Sequence, residues 1–296
     1  MDSFRDLSPK STLGFTLIEL SIVMVIIGLI IGGVLVGNDL IDAAKIRSQV
    51  TQLEKYNVAV ATFRVKYGYL PGDMPDPHAT NFGFIARGQF AGQGDGNGIL
   101  EGNVNNSYNG NYGHVQASGE TLVFWIDLSM AGLIPDNLQS SFASQTTAAG
   151  TLLNEKTTPK ISDLFPKTKI SEIGHILVYS SNGENYYQIA DTYLLNSTNG
   201  QAAWSREFLS VNHAYNVDKK IDDGKPQSGN VSAQFMSGAT WTWAGTGGIT
   251  GGAYTTPNSY SSTTCFDNGG IASEQKYSLN TETSNNKNCS LRIGLK

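Results

Sequence analysis

Between Ser11 and Asn38 the chain carries one charged residue, Glu19. A carboxylate within an apolar span costs roughly 2.5–3.5 kcal/mol, so it needs a partner or a task. Taken alone, it reads as an acid near the end of the span that snorkels or is protonated, and that gains from the helix dipole in the first turn. A second group of oxygens lies in Gln93-Gly94-Asp95-Gly96-Asn97-Gly98-Ile99-Leu100-Glu101. Asp95, Asn97, the Ile99 carbonyl and Glu101 fall on alternate positions of a glycine loop, which suits the ~6–8 oxygen ligands of Ca²⁺. The loop is not an EF-hand, since Ile99 and Asn106 stand where that loop needs acids. Asp222 and Asp223 form a second candidate pair. The alternative is that Asp-Gly and Asn-Gly here only form turns. No cofactor is required, and structural calcium is the one these oxygens suit.

Catalytic constellations are missing: no HExxH, GxSxG, P-loop or CxxC occurs. His78, His114, His175 and His213 are scattered without ligand spacing, and His175, beside an expected strand, reads as a packed or surface histidine. We therefore expect no enzyme. Trp241 and Trp243, with Tyr254 and Tyr260, alternate with small polar residues. They form either a glycan-binding face or a strand that turns both indoles to the core. With 20 basic and 25 acidic residues the net charge is −5, and no basic cluster reverses it locally, which argues against nucleic acid as a partner. At 40% hydrophobic and 15% charged residues, the 296-residue chain is neither disordered nor a coiled coil.

These residues depend on the elements that carry them. Phe15–Val36 is an apolar run of 22 residues. As a helix it reaches ~33 Å, enough for a hydrocarbon core of ~30 Å, and it exceeds the ~7–15 apolar residues of a secretory signal. Beyond it Ile46, Val50, Leu53, Tyr56, Val60, Phe63 and Tyr67 recur in steps of four and three, an apolar stripe that predicts a continuing helix. Gly68 is a natural stop and Pro71 a breaker. The whole helix would be ~80 Å long.

Gly14-Phe15-Thr16-Leu17-Ile18-Glu19-Leu20, preceded by a short leader with Arg5 and Lys10, resembles the N-terminus of type IV pilins and type II secretion pseudopilins. The resemblance implies that a prepilin peptidase cuts between Gly14 and Phe15 on the cytoplasmic side and methylates the new amine of Phe15. That amine lies one helical turn from Glu19 and can neutralise it, within one chain or from a neighbouring copy. The family reading is the neighbouring copy, which makes Glu19 the assembly residue. It further implies a structural subunit that polymerises through its N-terminal helix into a pilus or pseudopilus. Its partners would be the peptidase, other pilin or pseudopilin subunits and an assembly platform in the bacterial inner membrane. A minor tip pilin using the Trp-rich tail as an adhesin, and an uncleaved signal-anchored periplasmic protein, are the alternatives.

The expected organisation is a leader at 1–14, a transmembrane and assembly helix at 15–37, an amphipathic continuation at 38–67 and an extracytoplasmic globular domain at 68–296. The fold class is α+β, a long helix packed on a small antiparallel sheet with large loop insertions. Tyr67–Asp73 and an amphipathic helix at Glu120–Met130 both resemble segments of pseudopilins. Strands are expected at Ile176–Ser180, Tyr186–Ala190 and Tyr193–Leu195, with Ser181-Asn182-Gly183-Glu184 as a hairpin turn. A helix or irregular stretch follows at Arg206–Tyr215, and a further element at Val217–Gly224. Cys265 and Cys289 are the only cysteines. In an exported domain they form a disulfide or, alternatively, two buried thiols.

Overall fold

The computed structural model describes residues 14, 16–87, 94–102, 119–138, 152–157, 160–181, 183–196, 202–206, 208–234, 240–241, 265–267, 275–279 and 287–296. It divides into two units, Met1–Ala44 and Lys45–Lys296. One helix, α1 (Leu17–Tyr67), runs through both. In the first unit its apolar side chains are exposed, Leu17 by 88% and Leu29 by 72%. By length and composition this helix can cross a membrane.

In the second unit the expected stripe is buried at Ile46, Leu53, Tyr56, Val60 and Phe63. The division between the units falls inside α1 because this burial begins at Ile46. Two polar residues join the stripe. Gln49 accepts from the amides of Lys169 and Ile170, while Gln52 donates to the Lys167 carbonyl and to the Tyr56 hydroxyl. Each buried amide is thus offset by hydrogen bonds to the segment at 167–170. The helix ends at Gly68, whose φ of +82° is a left-handed stop that costs a glycine nothing.

After a single turn, α2 (His78–Asn81), comes α3 (Glu120–Met130). Its boundaries are those expected, but it is not amphipathic in its setting: every residue from Glu120 to Leu128 is buried. Trp125 packs edge-on against Tyr56 of α1 at 5.0 Å, and the loops at 68–76 and 94–101 cover the acidic side. A polar stripe that reads as a solvent face is therefore an internal one.

The sheet is antiparallel and larger than expected, with eight strands among the described residues. β1 (Leu152–Leu153), β2 (His175–Ser181), β3 (Glu184–Asn196), β4 (Ala202–Arg206), β5 (Leu209–Ser210), β6 (Val231–Gln234), β7 (Thr240–Trp241) and β10 (Lys287–Gly294) form it. β8 (Phe266–Asp267) and β9 (Lys276–Tyr277) pair separately. The Asn-Gly hairpin closes with Ser181 opposite Glu184. The two strands expected at Tyr186–Ala190 and Tyr193–Leu195 are one strand, β3, which pairs with β2 and β10 along its first half and with β1 and β4 along its second. Asp191 and Thr192, which break the apolar run, stay inside the ladder because Thr192 hydrogen-bonds Ser205 and Asp191 pairs with Arg206.

The element expected at Arg206–Tyr215 is the end of β4, then β5, then α4 (Val211–Ile221). This helix begins late because Ser210 caps it, its hydroxyl accepting from the His213 amide. It runs on through most of Val217–Gly224. Trp241 lies in β7 opposite Trp204. Trp243, Tyr254, Tyr260 and His114 lie outside the described residues.

Candidate functional site

The first site is the start of α1. Thr16 sits just ahead of the first helical residue and Glu19 three positions later, the T-x-x-E spacing of a capping box. The reciprocal bonds are present. The Thr16 amide and hydroxyl both donate to one oxygen of Glu19 at 2.8 Å, and the Glu19 amide donates to the Thr16 hydroxyl at 3.3 Å. Glu19 is exposed and caps the start of the helix. Ser21 uses its hydroxyl on the Ile18 carbonyl, so it adds no unpaired polar group to the span. Gly14 is exposed, and Phe15 lies outside the described residues.

The second site is an acidic core beneath the glycine-rich loop. Glu120 and Asp127 stand seven positions apart on α3, hence on one face, and Asp73 follows the turn at Gly72. Glu120 accepts from the amides of Gly94, Asp95 and Glu101. Asp73 accepts from Gly96 and Gly98 at 2.9 Å each. Asp127 accepts from the Gly72 amide at 2.7 Å and from Arg87 at 2.6 Å on both of its oxygens. Arg87 also donates to the Ile85 carbonyl, and its amide donates to Asp76. Three acids thus gather the amides of loops that have no strand partner, as buried donors require. Gly72 is obligatory: its φ is +84°, and a Cβ there would lie 2.4 Å from the Glu120 carbonyl oxygen.

Burial raises the pKa of all three. It pushes Glu120 up to about 9, against its amide donors and with Asp73 adding to the rise. Asp73 goes up to about 6, chiefly by burial, with the Gly98 and Gly96 amides opposing. Asp127 is raised by burial and drawn back by the Arg87 guanidinium. Among the described residues, oxygens of Asp73, Asp95 and Glu120 lie within 4.8 Å of one another. Carboxylate oxygens suit a hard cation. Of the expected acids Asp95 and Glu101, Asp95 belongs to this group. Asp95 accepts from the amide and side chain of Asn97, and Asn97 accepts from the Ile99 amide. Those are the turn bonds of the alternative reading. Glu101 is raised by burial and hydrogen-bonds Asn97.

The second pair, Asp222 and Asp223, is joined by Asp218. Asp222 accepts from the amides of Asn230 and Val231, while Asp218 accepts from the Tyr277 hydroxyl at 2.6 Å and the Gly224 amide at 3.0 Å. Burial pushes Asp218 up to about 6. His175 is buried with Nε2 3.1 Å from Glu155, and burial pushes it down to about 4. Cys265 and Cys289 are bonded to each other, with Cα atoms 5.1 Å apart.

Asp73, Glu120, Asp127 and Arg87 escaped the sequence reading. The one signal for them was the pair of acids at i and i+7 in a segment otherwise as apolar as LVFWI.

Residues 9–35 match the family model described as the prokaryotic N-terminal methylation motif, the prepilin-type signal of type IV pilins and pseudopilins. The match supports a prepilin-type precursor and covers the N-terminal motif, not the unit that follows it. No curated protein and no solved structure matches it.

Proposed function

We propose that this chain is a structural subunit of a type IV pilus or a type II secretion pseudopilus. Its leader is removed between Gly14 and Phe15, Phe15 is N-methylated, and the product polymerises through α1. The observation that carries the reading is one carboxylate, Glu19, at the head of an exposed helix apolar enough to span a membrane, inside the matched motif. An unpaired carboxylate in lipid is costly, and a new amine at Phe15 supplies the counter-charge. The Thr16 bonds both go to one oxygen of Glu19, and in this reading the amine pairs with the carboxylate. Pairing with the amine of an adjacent copy would favour one register of addition. In this reading the leader faces the cytoplasm, and Lys45–Lys296 lies on the far side of the inner membrane.

Two measurements test it. Mass spectrometry of the protein from its native host is expected to find N-methyl-Phe15 at the amino terminus. Glu19→Ala is expected to insert into the membrane and be cleaved, yet to be depleted from filaments at least ~10-fold, the equivalent of ~1.4 kcal/mol of lost pairing. A chain that keeps Met1, or filaments that take up Glu19→Ala normally, would contradict the proposal.

A further inference from the structure

The segment at 166–174, just ahead of β2, is a pinned loop with a basic and apolar outer side. Burial alternates along it: Lys167 and Lys169 are exposed, while Thr168 and Ile170 are buried. That period of two turns both lysines outward together. The loop is closed by its own bonds. The Thr168 amide donates to the Gly174 carbonyl at 2.9 Å, and the Thr168 hydroxyl donates to the Ser171 carbonyl at 2.7 Å. Gly174 is buried so tightly that a Cβ there would lie 2.5 Å from the Phe208 ring. Ile173, next to it, is 44% exposed and follows the exposed acid Glu172. A loop held in this way keeps Ile173 on the outside.

This loop sits where α1 enters the second unit. The amides of Lys169 and Ile170 donate to Gln49, and the Lys167 carbonyl accepts from Gln52. The other end of α1 is covered by different residues, Phe84 on Phe63 and Phe82 on Tyr67. Lys45 and Arg47 are exposed in the first turn of α1 within this unit. Over 45–52 and 166–174, then, Lys45, Arg47, Lys167 and Lys169 face one acid, Glu172, in a chain whose net charge is −5. The linear sequence hides this cluster, because 120 positions separate Gln49 from Lys169. The charge of Lys167 also acts on Glu155, an exposed acid already bonded to Ser162 and His175. Eight residues, 37–44, join Lys45 to the end of the apolar run at Val36. They belong to α1 and amount to ~12 Å of helix.

We propose that this end of the unit is a lipid-contacting surface, on which Lys45, Arg47, Lys167 and Lys169 meet anionic headgroups and Ile173 enters the interface between them. The proposal rests on the membrane reading of α1 given above. A bilayer surface is favoured over a protein partner on two grounds. The apolar run of α1 already brings a bilayer within a short length of helix, and the cluster has the sign that attracts anionic lipid. A lone isoleucine among lysines is, by contrast, a poor core for a protein interface, where lysine is depleted. The long lysine and arginine side chains can reach phosphates while their stems, with Ile173, lie against the acyl boundary. The contact belongs to the subunit while it resides in the membrane and is broken when the subunit leaves, so anionic lipid opposes that departure.

The test places the full chain in lipid nanodiscs made of phosphatidylcholine alone or mixed equally with phosphatidylglycerol. Ile173→Cys carries an environment-sensitive fluorophore, and labelling is selective because Cys265 and Cys289 are bonded to each other and buried. A second preparation carries the label at Val65→Cys, a position 89% exposed near the end of α1. Lipid spin-labelled at the headgroup reports contact by quenching. Quenching at position 173 is expected to be at least ~3-fold stronger with phosphatidylglycerol than without it, and to fall to the neutral-lipid level in ~0.5 M salt. Lys167→Glu/Lys169→Glu is expected to abolish the difference, while the label at position 65 stays unquenched throughout. Both lysines are exposed, and the salt arm needs no substitution of them. Quenching at position 173 that is absent, or equal in the two lipids, overturns the proposal. So does quenching that follows the number of chains per disc instead of lipid charge, which assigns the surface to a second copy. A chain that fails to enter the discs overturns the membrane reading and this proposal together. A chain that enters them and shows no response at position 173 overturns this proposal alone.

Discussion

Removing Arg87 isolates a fully buried acid, Asp127. Asp127 has no exposed side-chain surface and Arg87 only 2%; their bond is 2.6 Å to each carboxylate oxygen. Arg87→Met keeps most of the apolar volume but leaves Asp127 with one donor, the Gly72 amide. Breaking a buried pair from one side costs ~3–5 kcal/mol, since the remaining charge is uncompensated. At ~2–4 °C per kcal/mol for a unit of this size, the melting temperature should fall by ~6–20 °C at pH 7. The sign of the pH dependence follows from the same contact. Burial already raises the Asp127 pKa against Arg87. Without the guanidinium it climbs further above the unfolded value of ~4, so the folded state holds the extra proton and the variant loses stability as pH rises through that window. The deficit should therefore shrink between pH 7 and pH 5, by up to ~2.7 kcal/mol. Arg87→Met/Asp127→Asn should be more stable than the sum of its single changes, because Asn still accepts from Gly72 and no buried charge remains. Guanidinium unfolding of the full chain in detergent, read through buried Trp125, gives all four corners of the cycle. A deficit under ~0.5 kcal/mol, one equal at pH 5 and pH 7, or strict additivity would refute the argument.

Glu120→Gln should flatten the pH profile of the parent protein. Glu120 has a folded pKa of about 9, so the parent loses stability between ~pH 4.5 and 9, at most ~1.4 kcal/mol per pH unit, and melting curves at pH 5 and 8 measure the difference. Gly72→Ala forces a Cβ to 2.4 Å from the Glu120 carbonyl at a left-handed φ and should cost at least ~2 kcal/mol in equilibrium unfolding. Cys265→Ser/Cys289→Ser should lower stability by roughly 3 kcal/mol through the freed chain between them, measured the same way. Calcium must compete with the amides already on Asp73 and Glu120. Millimolar calcium and EGTA should therefore give melting temperatures within ~1 °C, and a calcium-dependent rise would assign a cation to the cluster.

Much of the fold was legible because burial leaves a periodic trace where an element packs on one side. Ile46, Leu53, Tyr56, Val60 and Phe63 announce α1, Gly68 its end, and Asn182-Gly183 the hairpin. What the pattern hides has physical causes. β10 does carry a period-two trace, Cys289, Leu291 and Ile293 with Ser290 and Arg292 between them, and the expected strands omit it although it is paired on both edges. β3 reads as two strands because Asp191 and Thr192 interrupt its apolar run, while their contacts with Arg206 and Ser205 keep them in the ladder. Short strands such as β5, with two residues, carry no period to detect.

Glu19 and Glu120 are the same chemical problem, a carboxylate in apolar company, and only one of them was readable. The neighbours that make Glu19 costly are adjacent in sequence, so the anomaly shows before any folding is considered. The neighbours of Glu120 come from Asp73, from Gly94–Glu101 and from the buried turns of α3, segments that meet only in the folded unit. The solutions differ accordingly. Glu120 is met inside its own unit by backbone amides that would otherwise be unpaired, so its task is finished when the unit folds. Among the described residues Glu19 is held by its Thr16 cap, which uses one oxygen of an exposed carboxylate. In the function proposed above, a partner from outside the chain would complete the pairing of this carboxylate at the head of a membrane-length apolar helix.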